Sequence, residues 1–143
     1  MTEPKVAVFF YGSFINPAVL AQCGLLPDQL EVARLPGFDI CIQPLANLIR
    51  SDEHCAYGVL TTATHAELAR LYDFARNQLG GTYLPQAVFV ESRDGAWRPA
   101  LCYIAPEMSP APAAPDYVDR IVGPARTLGF PAAYIARLER FRS

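Results

Sequence analysis

The short stretch Tyr11-Gly12-Ser13 follows directly on the apolar run "VAVFF" at residues 6–10. The run predicts a buried strand. At its end, Gly12 lets the backbone approach a bound molecule closely, Ser13 adds a hydroxyl, and Tyr11 adds an aromatic wall with a polar tip. These residue types predict the floor of a small-molecule pocket. The other interpretation is an ordinary strand end that turns into a helix.

Few other side chains indicate chemistry of their own. His54 and Cys55 are adjacent, and in a strand their side chains point to opposite faces, so they cannot form a catalytic pair. The only other histidine is His65, in a predicted first helical turn. The cysteines show no CxxC spacing, which predicts reduced and mostly buried thiols at Cys23, Cys41, Cys55 and Cys102. We therefore expect no metal site and no cofactor.

The composition predicts one domain over residues 1–143. Hydrophobic residues make up 52% of the chain and charged residues 18%, which is typical of a folded globular protein. The formal net charge is −2 and no basic patch is present, so nucleic acid is not an expected partner. No apolar run reaches membrane-spanning length, and the N-terminus lacks the apolar segment of a signal peptide. We therefore expect a cytoplasmic protein without membrane contact.

The elements that must position the Tyr11 loop can be predicted from local signals. Residues 5–11 read as the first strand. A short helix follows, with Asn16 as its N-cap, Pro17 at its first position and Gly24 as its C-terminal stop. Further strands are predicted at residues 30–35, 38–43 and 55–61, the first two joined by Pro36-Gly37.

A second helix begins at Thr64, which with Glu67 fits a capping box, and ends at Gly80-Gly81. Its inward face carries residues at helical spacing, namely Leu68, Leu71, Tyr72, Ala75 and Leu79. A hairpin with its turn at Asp94-Gly95 comes next. After the proline-rich connector of residues 105–115, Pro115 and Pro131 each open a short helix, and Gly129 between them is the predicted stop of the first.

Short strands, inserted helices and a helical tail predict an α+β fold whose mixed sheet curls into a small β-barrel. Aromatic residues on the predicted strands are expected in the core, namely Phe9, Phe10, Tyr57, Phe89 and Tyr103.

Three stretches, in order along the chain, resemble the γ-glutamylcyclotransferases and their AIG2-like relatives. "FFYGSF" resembles the family's aromatic strand and YGS loop, and "CAYGVLTTATHAELARLY" resembles its strand-then-helix segment. "PAAPDYVDRIVGPARTLGFPAAYIARLERF" resembles its C-terminal run. The resemblance implies a small barrel with a pocket for a small-molecule ligand, and release of 5-oxoproline from γ-glutamyl compounds.

The resemblance also implies which residues bind the ligand. It assigns this role to the loop of residues 8–13 and to Tyr117 of the C-terminal run. We further expect Tyr83, just after the second helix, to line the same cavity. The expected substrate-binding residues are therefore Val8, Phe9, Phe10, Tyr11, Gly12, Ser13, Tyr83 and Tyr117.

One position departs from the family pattern. The resemblance puts the family's acid–base glutamate near the end of the second helix, where this chain has Ala75 followed by Arg76. Neither side chain exchanges a proton at neutral pH. Asp73, on the outer face of the helix, and Glu91, in the next strand, are weak candidates to replace it. The catalytic residues are thus unassigned.

Two classes of function follow from this pattern. In the first, the protein is an enzyme, either a cyclotransferase that uses a displaced carboxylate or one that performs altered chemistry on a γ-glutamyl-type substrate. In the second, it is a non-catalytic module that kept the pocket and lost the base. A purely structural role is less favoured, because packing alone does not require Tyr-Gly-Ser at a strand end. The sequence leaves open whether the protein is a monomer or a homodimer.

Overall fold

The computed structural model describes residues 3–27 and 29–142. Strand β1 (Lys5–Phe10) begins the fold, and a 3-10 turn (Gly12–Ile15) connects it to helix α1 (Pro17–Gln22). The Asn16 side chain caps α1 by accepting a hydrogen bond of 3.0 Å from the amide of Ala18, as predicted. The Tyr11 loop is therefore held between a strand and a capped helix.

In the part of the chain that the structure describes, five strands form one sheet that closes on itself. In sheet order they run β1-β3-β2-β4-β5. Their bounds are β2 (Glu31–Ile42), β3 (Ala46–Thr64), β4 (Leu84–Ser92) and β5 (Trp97–Ile104). Neighbouring strands are antiparallel except β1 and β5, which are parallel and meet at Val8 and Leu101. The predicted α+β fold on a mixed sheet is confirmed.

The two strands predicted at residues 30–35 and 38–43 are one strand in the structure. Both halves of β2 pair with β3, with a register irregularity between Pro36 and Phe38. The Pro36-Gly37 pair therefore makes a bulge and not a chain-reversing turn, because the segments on both sides find their hydrogen bonds on the same neighbour. The third strand accordingly begins at Ala46, nine residues before its predicted start at Cys55.

Helix α2 (His65–Phe74) begins at the predicted capping box. The Thr64 hydroxyl accepts from the Glu67 amide at 3.1 Å, and the Glu67 carboxylate accepts from the Thr64 amide at 2.8 Å. The helix then changes to one π turn (Ala75–Leu79), which ends at Gly80 with a φ of 85°. Such π turns occur often at functional sites. This one carries Ala75, the position where the family glutamate is expected.

Strands β4 and β5 form the predicted hairpin, and their alternation decides which side chains are buried. Val88 and Val90 point inward and are buried, whereas Phe89 between them is 65% exposed. The prediction of Phe89 as a core residue is therefore wrong. A period of two shows which residues share a face, but it does not show which of the two faces points inward.

Two helices, α3 (Pro115–Leu128) and α4 (Ala132–Glu139), complete the described chain. Gly129, with a φ of 79°, ends α3, and Pro131 caps α4, as predicted. The inner face of α3 is buried and includes Tyr117. Within residues 3–27 and 29–142, no helix is long and apolar enough to cross a membrane.

Candidate functional site

The Tyr11 loop is packed tightly against the first residue of β3. Gly12 has a φ of 67°, in the left-handed region that favours glycine, and a Cβ added there would overlap the Cβ of Ala46. The close approach that Gly12 permits is thus to the protein's own chain. Ala46 occupies the space beside Gly12, and the binding role expected of Gly12 stays a prediction.

The backbone of Ala46 also anchors two tyrosines from distant parts of the chain. The Tyr117 hydroxyl accepts a hydrogen bond of 2.9 Å from the Ala46 amide, and the Tyr83 hydroxyl donates to the Ala46 carbonyl at 2.5 Å. A third phenol, that of Tyr11, donates to the carbonyl of Tyr103 at 2.6 Å. Backbone groups therefore fix all three hydroxyls in place.

These tyrosines surround a cavity of about 20 Å³, here called the tyrosine cavity. The volume is enough for about one water molecule. It is lined by Tyr11, Ser13, Phe14, Ala46, Tyr72, Ala75, Leu79, Tyr83, Tyr103 and Tyr117.

Of the predicted binding residues, the structure brings together Tyr11, Ser13, Tyr83 and Tyr117. The other four lie elsewhere: Gly12 is outside the wall, and Val8, Phe9 and Phe10 are fully buried core residues.

The π turn places Ala75 in the wall of the tyrosine cavity. Ala75 is 1% exposed, and its carbonyl accepts a hydrogen bond of 3.2 Å from the amide of Gly81. Its neighbour Arg76 points outward and donates to the Asp73 carboxylate at 2.7 Å. The position that the family resemblance assigns to the acid–base glutamate therefore does face the cavity, with a methyl group.

No carboxylate lines the tyrosine cavity in the described part of the chain. Asp73 is exposed and lies in a separate surface depression of about 140 Å³, which shares Tyr72, Tyr83 and Tyr103 with the cavity. Glu91 lies near the opposite end of the β4–β5 hairpin, on its outer side, paired with Arg34. Asp73 is thus near the cavity but outside it, and Glu91 is remote from it.

The phenols of the cavity cannot take up a proton at neutral pH. Burial raises the pKa of Tyr11 and of Tyr72 well above the ordinary value, and it raises the pKa of Tyr83 as well. Burial also raises the pKa of Tyr117, although hydrogen bonds from the Ala46 amide and with Ser13 oppose this shift. These hydroxyls stay protonated, so they can donate hydrogen bonds and cannot act as bases.

Several residues that line the tyrosine cavity were not indicated as binding residues by the sequence. Tyr72 and Tyr103 stack with their ring centroids 3.9 Å apart and their planes 12° apart, and Phe14 packs edge-on against Tyr72 at 5.4 Å. Helical spacing indicated that Tyr72 faces inward. Nothing in the sequence indicated that Ala46 meets the Tyr11 loop, because that contact depends on how β3 and β1 are placed.

Metal ligands are not gathered at this site. In the ranges 3–27 and 29–142, no three His, Cys, Asp or Glu side chains form a group that could hold a metal ion.

The fold and the cavity together define a class of α+β proteins in which a strand-end Tyr-Gly-Ser loop covers a small pocket beside a closed sheet. Comparison with known families gives the same class. The model of the gamma-glutamyl cyclotransferase, AIG2-like family matches residues 8–120, and the chain belongs to this family. The resemblance noted in the sequence is thereby confirmed. No curated protein gives a significant match.

Solved structures share the fold over most of the chain. An uncharacterized protein from Homo sapiens, loc79017, has a TM-score of 0.82 at 22% identity, covering 96% of this chain and 88% of that one. A gamma-glutamyl cyclotransferase has a TM-score of 0.75 at 22% identity, covering 95% and 87%. A yeast gamma-glutamyl cyclotransferase specific to glutathione has a TM-score of 0.66 at 12% identity, covering 96% and 95%. At these identities the likeness shows the fold alone.

Proposed function

We propose that this protein binds a small γ-glutamyl-type molecule in the tyrosine cavity and does not convert it. The observation that carries the proposal is the methyl group of Ala75, which faces the cavity where the family resemblance puts the acid–base glutamate. The described wall contains no carboxylate that could replace it.

The family reaction requires proton transfer at two points. The substrate's α-amine attacks its own γ-carbonyl, so the ammonium must lose a proton before the five-membered lactam closes. The departing amine must then gain one. A carboxylate of raised pKa suits both steps. The cavity offers instead phenols whose pKa burial has raised, so no group in its described wall accepts the proton at neutral pH.

The cavity retains groups that suit binding. Ser13 and the phenol of Tyr117 provide hydrogen-bonding groups for the polar atoms of an amino-acid-derived ligand. The aromatic rings of Tyr72 and Tyr103 provide an apolar wall for its methylene groups. The partner we propose is thus a small molecule, in keeping with the expectation from the sequence.

Ligand entry requires the wall to move, because about 20 Å³ holds only about one water. The depression of about 140 Å³ lies on the other side of Tyr72, Tyr83 and Tyr103. Tyr83 is the member of this partition that follows two glycines, Gly80 and Gly81, and its contact with Ala46 is one hydrogen bond. Breaking that bond and turning Tyr83 outward would join the two spaces into one pocket.

The proposal is tested with γ-glutamyl-alanine as the probe. Calorimetry on the full chain is expected to show saturable binding, and mass spectrometry is expected to show no 5-oxoproline. Ser13→Ala removes a wall hydroxyl and is expected to weaken binding by about fivefold or more, since a lost hydrogen bond costs about 1 kcal/mol or more. Ser109→Ala, in the exposed connector, is the matched control. No binding by the wild type, or equal binding by both variants, would contradict the proposal.

A second candidate function is catalysis by Asp73, because its position favours it over the other carboxylates in residues 3–27 and 29–142. Asp73 lies in the depression that shares three tyrosines with the cavity, so opening the partition would expose the ligand to it. If the wild type releases 5-oxoproline and Asp73→Asn does not, this candidate stands and the non-catalytic proposal falls. Glu91→Gln, at the remote end of the hairpin, is the matched control and should leave any release unchanged.

The cytoplasm is the location we propose. Cys23, Cys41, Cys55 and Cys102 are free thiols, which favours a reducing compartment.

A further inference from the structure

A second and larger cleft opens on the outside of the sheet, where β2 and β4 meet the corner between α3 and α4. Its volume is about 390 Å³, within the range usual for small-molecule sites. We call it the arginine cleft. Its lining includes Arg34, Tyr57, Glu91, Arg93 and Pro131.

The arginine cleft is separate from the tyrosine cavity. In the β4–β5 hairpin, Tyr103 lies opposite Pro85, while Glu91 lies opposite Trp97 near the turn. Glu91 is six positions after Pro85 along β4, which corresponds to about 20 Å at the rise of a strand. A ligand in the cleft therefore has no contact with the cavity.

Two guanidinium groups face the cleft, and each has more N–H groups than its contacts within the protein use. Arg34 donates through Nε to Oε1 of Glu91 at 2.5 Å, and its Nη2 contacts the same oxygen. Arg93 donates through Nη2 to the carbonyl of Leu128 at 3.2 Å. A guanidinium has five N–H groups, so these contacts leave several donors on each arginine for a bound oxygen.

The charge and the walls of the cleft select one kind of ligand. Among the described lining residues, Arg34 and Arg93 outnumber the carboxylate of Glu91, so this lining has a net positive charge on a chain whose net charge is −2. Tyr57 gives the cleft an aromatic wall held in place by Phe130 and Tyr134, with ring centroids 5.9 and 5.0 Å away. A fixed aromatic wall beside two guanidiniums matches a flat anion.

We propose that the arginine cleft binds a small carboxylate with a flat apolar body, of the aryl carboxylate class. Arg34 and Arg93 hold the carboxylate oxygens through charge-assisted hydrogen bonds, and Tyr57 with Pro131 covers the apolar part. Arg34 is positioned for this by Glu91 and by Tyr57, whose side chains both hydrogen-bond the Arg34 side chain. The site does not depend on the function proposed for the tyrosine cavity.

The test uses benzoate as the probe and the fluorescence of Trp97 as the signal. Trp97 is the single tryptophan of the chain and lies directly opposite Glu91 in the hairpin. On the full chain, benzoate is expected to give a saturable change that weakens as salt rises. Benzylamine, with the same ring and the opposite charge, is expected to give none.

Variants assign the response to the cleft. Arg93→Ala and Arg34→Ala are each expected to weaken benzoate binding by about tenfold or more, because each removes charge-assisted hydrogen bonds. Arg70→Ala, an exposed arginine on α2, is the matched control and should bind like the wild type. Arg93 keeps the test valid if Arg34→Ala disturbs the fold, since its one bond is to a backbone carbonyl.

Several results would overturn the proposal. They are the absence of a saturable response to benzoate, equal binding of benzylamine, or unchanged affinity in Arg93→Ala. Binding of inorganic phosphate as tightly as benzoate would overturn the assignment of ligand class, because the cleft would then recognise charge without the apolar body.

Discussion

At the scale of single residues, Gly12 combines two requirements that can be separated by experiment. It has a left-handed φ, and its α-carbon lies against Ala46. We expect Gly12→Ala to lower the free energy of unfolding by about 1–3 kcal/mol more than Gly37→Ala, the usual cost of overpacking. Gly37 has a φ of 88° with no atom near its Cβ position, so it carries the backbone strain alone. Urea unfolding measures the loss of stability in each variant. Equal losses in Gly12→Ala and Gly37→Ala would show that Ala46 moves aside for the added methyl group at no cost.

The phenols of Tyr117 and Tyr83 both hydrogen-bond the backbone of Ala46, but they contribute unequally to stability. Tyr117→Phe leaves the buried amide of Ala46 without its acceptor, whereas Tyr83→Phe removes one donor from a carbonyl. Orphaned buried amides are rarer than under-satisfied carbonyls. We expect Tyr117→Phe to lower the free energy of unfolding by about 1–3 kcal/mol and Tyr83→Phe to lower it less. If thermal unfolding shows Tyr83→Phe to be less stable than Tyr117→Phe, the greater importance assigned to the bond from the Ala46 amide is contradicted.

At the scale of elements, the π turn sets what a restored carboxylate would experience. Ala75→Glu places an acid in a wall around about 20 Å³ of space, and burial raises the pKa of such a carboxyl. A raised pKa means that the neutral acid is favoured in the folded state, so stability is lost as pH rises through that pKa. We therefore expect Ala75→Glu to become less stable than Ala75→Gln as pH rises from about 5 to about 8.

The glutamine variant isolates the charge in that comparison, since it has nearly the same size and does not titrate. Denaturant unfolding of both variants across this pH range gives the difference. If the free energies of unfolding of the two variants differ by the same amount at every pH, the side chain at position 75 leaves the cavity and reaches water. The π turn then does not hold it inward.

At the scale of the whole molecule, buried tyrosines make the fold sensitive to alkali. Burial raises the pKa of Tyr11, Tyr72, Tyr117 and Tyr134 above the ordinary value of 10.0. A raised folded pKa gives stability that is present in full below the unfolded pKa and is lost as pH rises above it. Burial also raises the pKa of the Cys102 thiol, to about 12. We therefore expect the free energy of unfolding to begin to fall near pH 9, where the unfolded thiol ionises, and to fall more steeply above about pH 10, where the unfolded tyrosines ionise as well.

Tyrosinate absorbance and far-ultraviolet circular dichroism check this together. The part of the absorbance change due to buried phenols should appear only as the helix signal is lost. Tyr11→Phe removes one such phenol, so its stability should fall less steeply with pH than that of the wild type. Ionisation of these phenols in a chain that keeps its fold would contradict the prediction.

Local chemistry explains most of what could be predicted from the sequence. Asn16 and Thr64 cap their helices through side-chain bonds to amides within three residues, and Gly80 and Gly129 end helical segments through their own φ angles. Such signals need no knowledge of the rest of the chain. The three family-like stretches likewise indicated the family and its fold, because their order along the chain is itself part of the sequence.

Only the tertiary structure decided how the site is built. The anchoring bonds to Ala46 come from residues 37 and 71 positions away, and the overlap that reserves position 12 for glycine involves the same distant residue. The exposure of Phe89 and the arginine cleft also depend on which sheet face the terminal helices cover. Residue types and periodicity fix which side chains can share a face; the closure of the sheet fixes which distant side chains they meet.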